Sequence, residues 1–298
     1  MPEKNSEVKQ ANAICTVLLH RIQAVARTRT KNLPQFPGFR GGPDIRVRPQ
    51  TAIRTYARVR NLKNHKTGTN IYLQYQPAPP WLEPVKLTAI STHPKGLQRA
   101  ELEEIFAQLK CPRLLTVELA LDFKQSSGVN RSFVDRYGIF GRSELVGGRL
   151  YRDLRFGTRH SETMVRCYEK PTLSSYRVEF ELHSKWLRRF RITQPSDLHK
   201  LPRLLYLKRI RFAALDWTEL EDYLERNDRS ASAINGVRSR SRSVRDALSL
   251  LRDELDLANV YRFLSPFPIN EVIRHRLLAW GSWWRNSASG GRLGGSHE

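Results

Sequence analysis

Three short segments of this 298-residue chain carry residue types that could do chemistry together. In residues 115–123 (LTVELALDF) an extended backbone would place Val117, Leu119, Leu121 and Phe123 on one face and Thr116, Glu118, Ala120 and Asp122 on the other, because successive side chains of a strand point to opposite sides. Residues 176–183 (YRVEFELH) repeat the pattern, with Tyr176, Val178, Phe180 and Leu182 opposite Arg177, Glu179, Glu181 and His183. Residues 164–170 (MVRCYEK) group Arg166, Tyr168 and Lys170, with Val165, Cys167 and Glu169 behind. If these strands are neighbours, up to four carboxylates surround one tyrosine with cations at hand. Acids that close repel one another unless a hard divalent cation or several cationic groups neutralise them, and Mg²⁺ or Mn²⁺ prefers oxygen ligands. Such an ion would polarise a phosphodiester, and its charge together with Lys170 and Arg166 would favour the phenolate of Tyr168 over a phenol of ordinary pKa ~10. Attack by that oxygen on phosphorus would conserve the ester as a covalent adduct that a later hydroxyl can reverse. The same spacing also describes half-exposed strands with an ordinary sheet tyrosine, so both readings stay open.

The elements that must position these residues follow from periodicity. Alternation at 70–76 and 84–91 predicts two further strands, 150–156 a short one, and the spacing of apolar residues in 96–109 a helix. Glu101, Glu103 and Glu104 would form the solvated face of that helix. The apolar positions of 7–27 fit one face of a helix, with a basic opposite face. Residues 31–49 (KNLPQFPGFRGGPDIRVRP) read as an extended arm. Beyond 184 the pattern is helical at 185–191, 198–214, 217–225, 244–257 and 269–284, interrupted by the Arg/Ser-rich stretch 227–242, which reads as a mobile linker. Trp280, Trp283 and Trp284 close the last helix and read as core or subunit contacts. The fold class is therefore α+β: a largely antiparallel sheet of about five strands with helices packed on it, then a helical C-terminal part. We divide the chain into a basic helix and arm (1–50), an α+β unit (51–194), a helical region (195–286) with its linker at 227–243, and a disordered tail (287–298).

Lys and Arg number 51 against 29 Asp and Glu, a net charge of +22. That excess points to a polyanion, nucleic acid first, since cations release counterions from the phosphate backbone whatever the sequence. The basic residues are spread along the chain rather than gathered on one amphipathic segment, which argues against a membrane surface. Three distant cysteines exclude a zinc ribbon or disulfide framework and fit a reducing compartment, the host cytoplasm. The apolar run 13–20 stops far short of the ~20 residues of a membrane span and reads as neither signal peptide nor transmembrane helix.

Four motifs in order resemble the replication initiation factor family of rolling-circle plasmids, with related relaxases of integrative elements, and are similar also to filamentous-phage replication endonucleases. They are TVELALDF at 116–123, GTRHS at 157–161, RCYEK at 166–170 and RVEFE at 177–181. The resemblance implies that Tyr168 nicks one DNA strand at an origin, leaving a 3′ hydroxyl and a 5′ phosphotyrosine, with Lys170 and Arg166 beside it. It implies metal ligation or support by Glu118, Asp122 and Glu179, then Glu169 and Glu181. Arg159, Ser161, Arg177 and Arg155 would hold DNA, joined by Arg54 and Arg58 of the basic arm. Thr116 and Glu118 stand where the family has Arg and Asp, and no His-hydrophobe-His pair occurs, which fits a site built on carboxylates. The implied partners are origin DNA, single-stranded or supercoiled, and a host helicase and polymerase, in a phage, plasmid or other mobile element. Two rivals remain: a non-catalytic DNA- or RNA-binding protein on the same fold, and a metal-dependent nuclease that activates water.

Overall fold

The computed structural model describes residues 14–28, 33–46, 56–140, 154–157, 161–170, 173–208, 211–227, 232–255 and 259–287. Their main feature is a mixed α+β architecture built on one antiparallel sheet, and that sheet has ten strands rather than about five. In chain order these are β1 (Cys15–Ala26), β2 (Arg40–Gly41), β3 (Ile45–Arg46), β4 (Tyr56–Asn64), β5 (Thr69–Pro77), β6 (Val85–Ser91), β7 (Arg113–Lys124), β9 (Leu154–Phe156), β10 (Thr163–Lys170) and β11 (Ser175–His183). They lie side by side as β2-β4-β5-β6-β1-β7-β11-β10-β9, with β3 also paired to β4. A small second sheet joins β8 (Gly138–Ile139), β12 (Arg211–Leu215) and β13 (Leu264–Pro266).

One face of the large sheet is apolar and carries the helices. Val17, Leu19 and Ile22 of β1, Ile71 and Leu73 of β5, Leu119 and Leu121 of β7 and Val178 and Phe180 of β11 all join one core. Against them pack α1 (Arg99–Ala107), through Leu102, Ile105 and Phe106, and α3 (Ser184–Arg189), through Trp186 and Leu187. So do α4 (Leu201–Lys208) and α8 (Ile269–Asn286). Trp280 and Trp284 of α8 are buried there, and the Trp284 indole N–H donates to the Pro195 carbonyl (2.8 Å), while Trp283 is exposed. A second core joins β12 to α5 (Trp217–Glu225), α6 (Ser232–Arg240) and α7 (Val244–Leu255). The remaining helix, α2 (Arg131–Tyr137), starts at Asn130, whose side chain accepts from the Phe133 N–H.

Several expectations are corrected. Residues 15–26 form a central strand and not a helix: β1 is flanked by β6 and β7 and largely buried on both faces. A run so buried shows no clean period, and its β-branched residues suit a strand. The helix expected over 198–214 ends at Lys208, and the alternating RFAAL becomes β12, paired with β8 and β13. Residues 232–240 of the expected linker are helical, because Ile234 and Val237 reach the second core. Of the expected extended arm, residues 40–41 and 45–46 form β2 and β3 on the edge of the sheet, while 1–13, 31–32, 47–55 and the tail 288–298 lie outside the described residues.

Glu101 is also not on a solvated face. At 8% exposed, its carboxylate accepts from Asn64 Nδ2 (3.1 Å), Thr67 Oγ1 (2.5 Å) and Thr69 Oγ1 (2.6 Å), tying the β4–β5 turn to α1. Removing it strands three donors, so Glu101→Ala should cost about 3 kcal/mol of stability. Urea unfolding checks this, with Glu101→Gln expected to lose less.

Candidate active site

The other face of the sheet is polar, and the three motif strands are neighbours on it. In the antiparallel register β11 lies between β7 and β10, with Glu181 opposite Glu118, Arg177 opposite Asp122, Arg166 opposite Glu179 and Tyr168 opposite Arg177. Directly opposed side chains lie within reach of one another. That pairing gathers the carboxylates around Tyr168.

Strand β1 adds two residues that the motifs do not contain. Its pairing with β7 slips between Leu19 and Arg21, a bulge that turns consecutive residues to the same face, as bulges next to functional sites do. His20 and Arg21 therefore both reach Glu118: His20 Nδ1 lies 3.4 Å from Oε2, and Arg21 Nη2 donates to Oε1. The bulge is held from the side by the Leu97 N–H, which donates to the Leu19 carbonyl (2.8 Å). Gly96, at φ +74°, permits that approach, since a Cβ there would meet the Leu19 oxygen at 2.6 Å.

Glu118 and Glu179 are fully buried, and each divides its two oxygens in the same way. Arg166 Nη2 contacts both Oε1 atoms, at 3.1 Å for Glu118 and by a short hydrogen bond to Glu179. The Oε2 atoms turn toward His20 Nδ1, which is 3.0 Å from Glu179 Oε2. Glu118 Oε2 and His20 Nδ1 are buried without a hydrogen-bond partner. Two carboxylate oxygens and one imidazole nitrogen within 4.8 Å of one another make a donor set that fits a divalent cation. The Tyr168 hydroxyl donates to the same Glu179 Oε2 at 3.0 Å. The nucleophile candidate and the metal-site candidate thus share an atom.

The protein's own charges, without an ion, do not favour the phenolate. Burial, and then the neighbouring Glu179, push the Tyr168 phenol up to about 12, against the opposing effect of Arg177. Burial also acts on Glu179, but His20, Arg166 and Arg177 outweigh it and hold that carboxyl at about 2. With a phenol so high and a carboxylate so low, the proton stays on Tyr168 at neutral pH. Lys170 is half-buried on the same side as Tyr168, and burial with Arg177 lowers its pKa.

The other expected site residues separate. Arg177, 1% exposed, grips Asp122 with two 2.6 Å hydrogen bonds and keeps Nη1 3.7 Å from Glu179. Its Nη1 is buried without a hydrogen-bond partner, while Asp122 is held by the Nε and Nη2 fork and is not in the donor cluster. Glu169 is exposed on the opposite face of β10, as strand alternation requires. Glu181 accepts from His183 Nε2 (3.0 Å), whose Nδ1 faces the Ser161 carbonyl (2.6 Å), so Ser161 positions His183 through its backbone. Arg155 lies opposite Arg166, and with Met164, Glu181 and His183 these arginines line a cavity of about 330 Å³ beside the cluster. Arg58, on β4, is six strands from β10, roughly 29 Å at ~4.8 Å per strand, and is not part of this site. Arg54 and Arg159 lie outside the described residues. His20 was missed because a bulge leaves no mark on sequence alternation; the only trace is a histidine ending an apolar run.

No protein-family model matches the chain, and no curated protein matches its sequence. In structure the chain is similar to a rolling circle replication initiator protein from Geobacillus stearothermophilus, at 14% identity and a TM-score of 0.40, over 82% of this chain and 97% of that one. Among the described residues no helix is long and apolar enough to cross a membrane.

The donor set makes a prediction of its own. Imidazole suits Mn²⁺ better than Mg²⁺, so calorimetric titration should show tighter Mn²⁺ binding. His20→Ala should weaken it by at least about tenfold and narrow the gap between the two ions.

Proposed function

We propose that the protein is a DNA replication initiator of rolling-circle type, nicking one strand at an origin by transesterification at Tyr168. The observation that carries this reading is the hydrogen bond from the Tyr168 hydroxyl to Glu179 Oε2, the oxygen that also faces His20. The order of the four motifs supports it independently. His20, Glu118 and Glu179 would hold Mg²⁺ or Mn²⁺. Such an ion, when bound, supplies the charge that polarises the phosphodiester and favours the phenolate.

The chain's own groups do the rest. Glu179 directs the O–H of Tyr168, and Arg21 and Arg166 fix Glu118 and Glu179 through their Oε1 atoms. The Tyr168 oxygen forms a bond to phosphorus as the bond from phosphorus to the 3′ oxygen breaks. The phenol proton is released to solvent, since a carboxyl held as low as that of Glu179 does not keep it, and the departing 3′ oxygen takes up a proton from solvent. One phosphodiester is exchanged for another, no water is consumed, and the products are a 5′ phosphotyrosine and a 3′ hydroxyl that a host helicase and polymerase would use. Arg155 and Arg166, at the adjoining cavity, and Lys170 would hold the phosphate. The net charge of +22 supplies long-range attraction to the DNA.

The test is supercoiled DNA from the protein's own replicon, incubated with Mn²⁺ or with EDTA. Open circles should form with Mn²⁺ alone. Supercoils that survive Mn²⁺ on DNA containing the origin would contradict the proposal.

A further inference from the structure

Eight of the ten strands of the large sheet, all but the short β2 and β3, form two copies of one topology. The first consists of β1, β4, β5 and β6 followed by α1, the second of β7, β9, β10 and β11 followed by α3. In space they read β4-β5-β6-β1 and, from the other edge, β9-β10-β11-β7, and the copies meet through the antiparallel pair β1–β7. A two-fold axis normal to the sheet between β1 and β7 relates them, so equivalent residues lie on the same face.

Register carries the equivalence to single residues. Tyr72 lies opposite Thr88, and Thr88 opposite Gln23, as Tyr168 lies opposite Arg177 and Arg177 opposite Asp122. Asn70 lies opposite Ile90, as Arg166 lies opposite Glu179. The first copy therefore keeps the tyrosine and has lost the acids: Ile90 stands for Glu179, and β4, β5 and β6 contain no Asp or Glu at all. With no carboxylate to hold a cation or take a proton, Tyr72 cannot repeat the chemistry of Tyr168.

What that copy offers instead is a cationic, hydrogen-bonding surface around an exposed ring. Tyr72 is 41% exposed, amid Asn70, Gln74, Thr88 and Lys86 on the polar face. Lys86 has no ion-pair partner among the described residues. The surface is continuous with the nicking site, because Arg21 of β1 lies opposite Ile90 on one side and bonds Glu118 on the other. We infer that this acid-free copy is a platform for single-stranded DNA flanking the nicked bond, with a base stacked on Tyr72 and a phosphate held by Lys86. Stacking on an aromatic ring with cations alongside is how sheet surfaces bind unpaired strands. From β5 to β10 is five strand spacings, about 24 Å.

This inference rests on the nicking proposal for its geometry, so its test avoids nicking. Binding is measured by fluorescence anisotropy in EDTA on the full chain carrying Tyr168→Phe, with a labelled single strand of about twenty nucleotides and the same sequence as a duplex. Added Tyr72→Ala should weaken single-strand binding about tenfold and duplex binding hardly at all, while Tyr72→Phe restores it. Lys86→Ala should flatten the salt dependence by about 0.7 in log–log slope. Unchanged single-strand affinity in both Tyr72→Ala and Lys86→Ala, or an equal loss on duplex, would overturn the platform. Neither result depends on whether the parent protein nicks, and a parent that nicks while the platform variants bind normally removes only this inference.

Discussion

Tyr168→Phe is expected to lower strand nicking by at least about 10⁴-fold and to leave DNA affinity almost unchanged. The substitution keeps the ring and deletes only the oxygen that would bond to phosphorus and its hydrogen bond to Glu179. Loss of that single bond should cost about 1 kcal/mol of stability, too little to unfold the protein, so a folded, DNA-binding, inactive variant is the outcome. Gel assays of supercoil relaxation with anisotropy on the same preparations would check it. The rivals diverge here. A non-catalytic binding protein would be indifferent to the substitution, and a nuclease that activates water would keep cutting.

Asp122→Ala should be the most damaging change to stability at the site, at about 3–5 kcal/mol, roughly a 10 °C drop in Tm. The reason is that Arg177 would stay buried with its charge uncompensated; its fork now makes two 2.6 Å bonds to Asp122. A buried pair is poor evidence of net stabilisation, but breaking it from one side is costly. Replacing both partners, Asp122→Leu with Arg177→Met, should recover much of the loss. Asp122→Asn should leave Mn²⁺ affinity close to the parent value, because the donor cluster is His20, Glu118 and Glu179. A large loss of Mn²⁺ affinity in a folded Asp122→Asn variant would return Asp122 to the ligand set.

The strands whose two faces differ were legible in the sequence. Residues 115–123, 164–170 and 176–183 alternate because one face meets the helices and the other lines the polar pocket, and the structure places all three side by side. Strand β1 was not legible, since eight of its twelve residues are buried and a helical reading of its apolar spacing competes on equal terms. His20 was hidden with it, behind a bulge. Strand β4 was masked by its arginines, read as part of a basic arm although they pair across the sheet with β5. The placement of Asp122 and Arg177 turned on a pairing register that sequence does not state: once Arg177 stands opposite Asp122, the guanidinium closes on the carboxylate.

Mass spectrometry of the protein after incubation with Mn²⁺ and single-stranded DNA from its own replicon tests the central claim most directly. A nucleotide attached to Tyr168, absent in EDTA and absent from Tyr168→Phe, is the predicted result. Nicked DNA with Tyr168 unmodified would contradict transesterification and hand the chemistry to water.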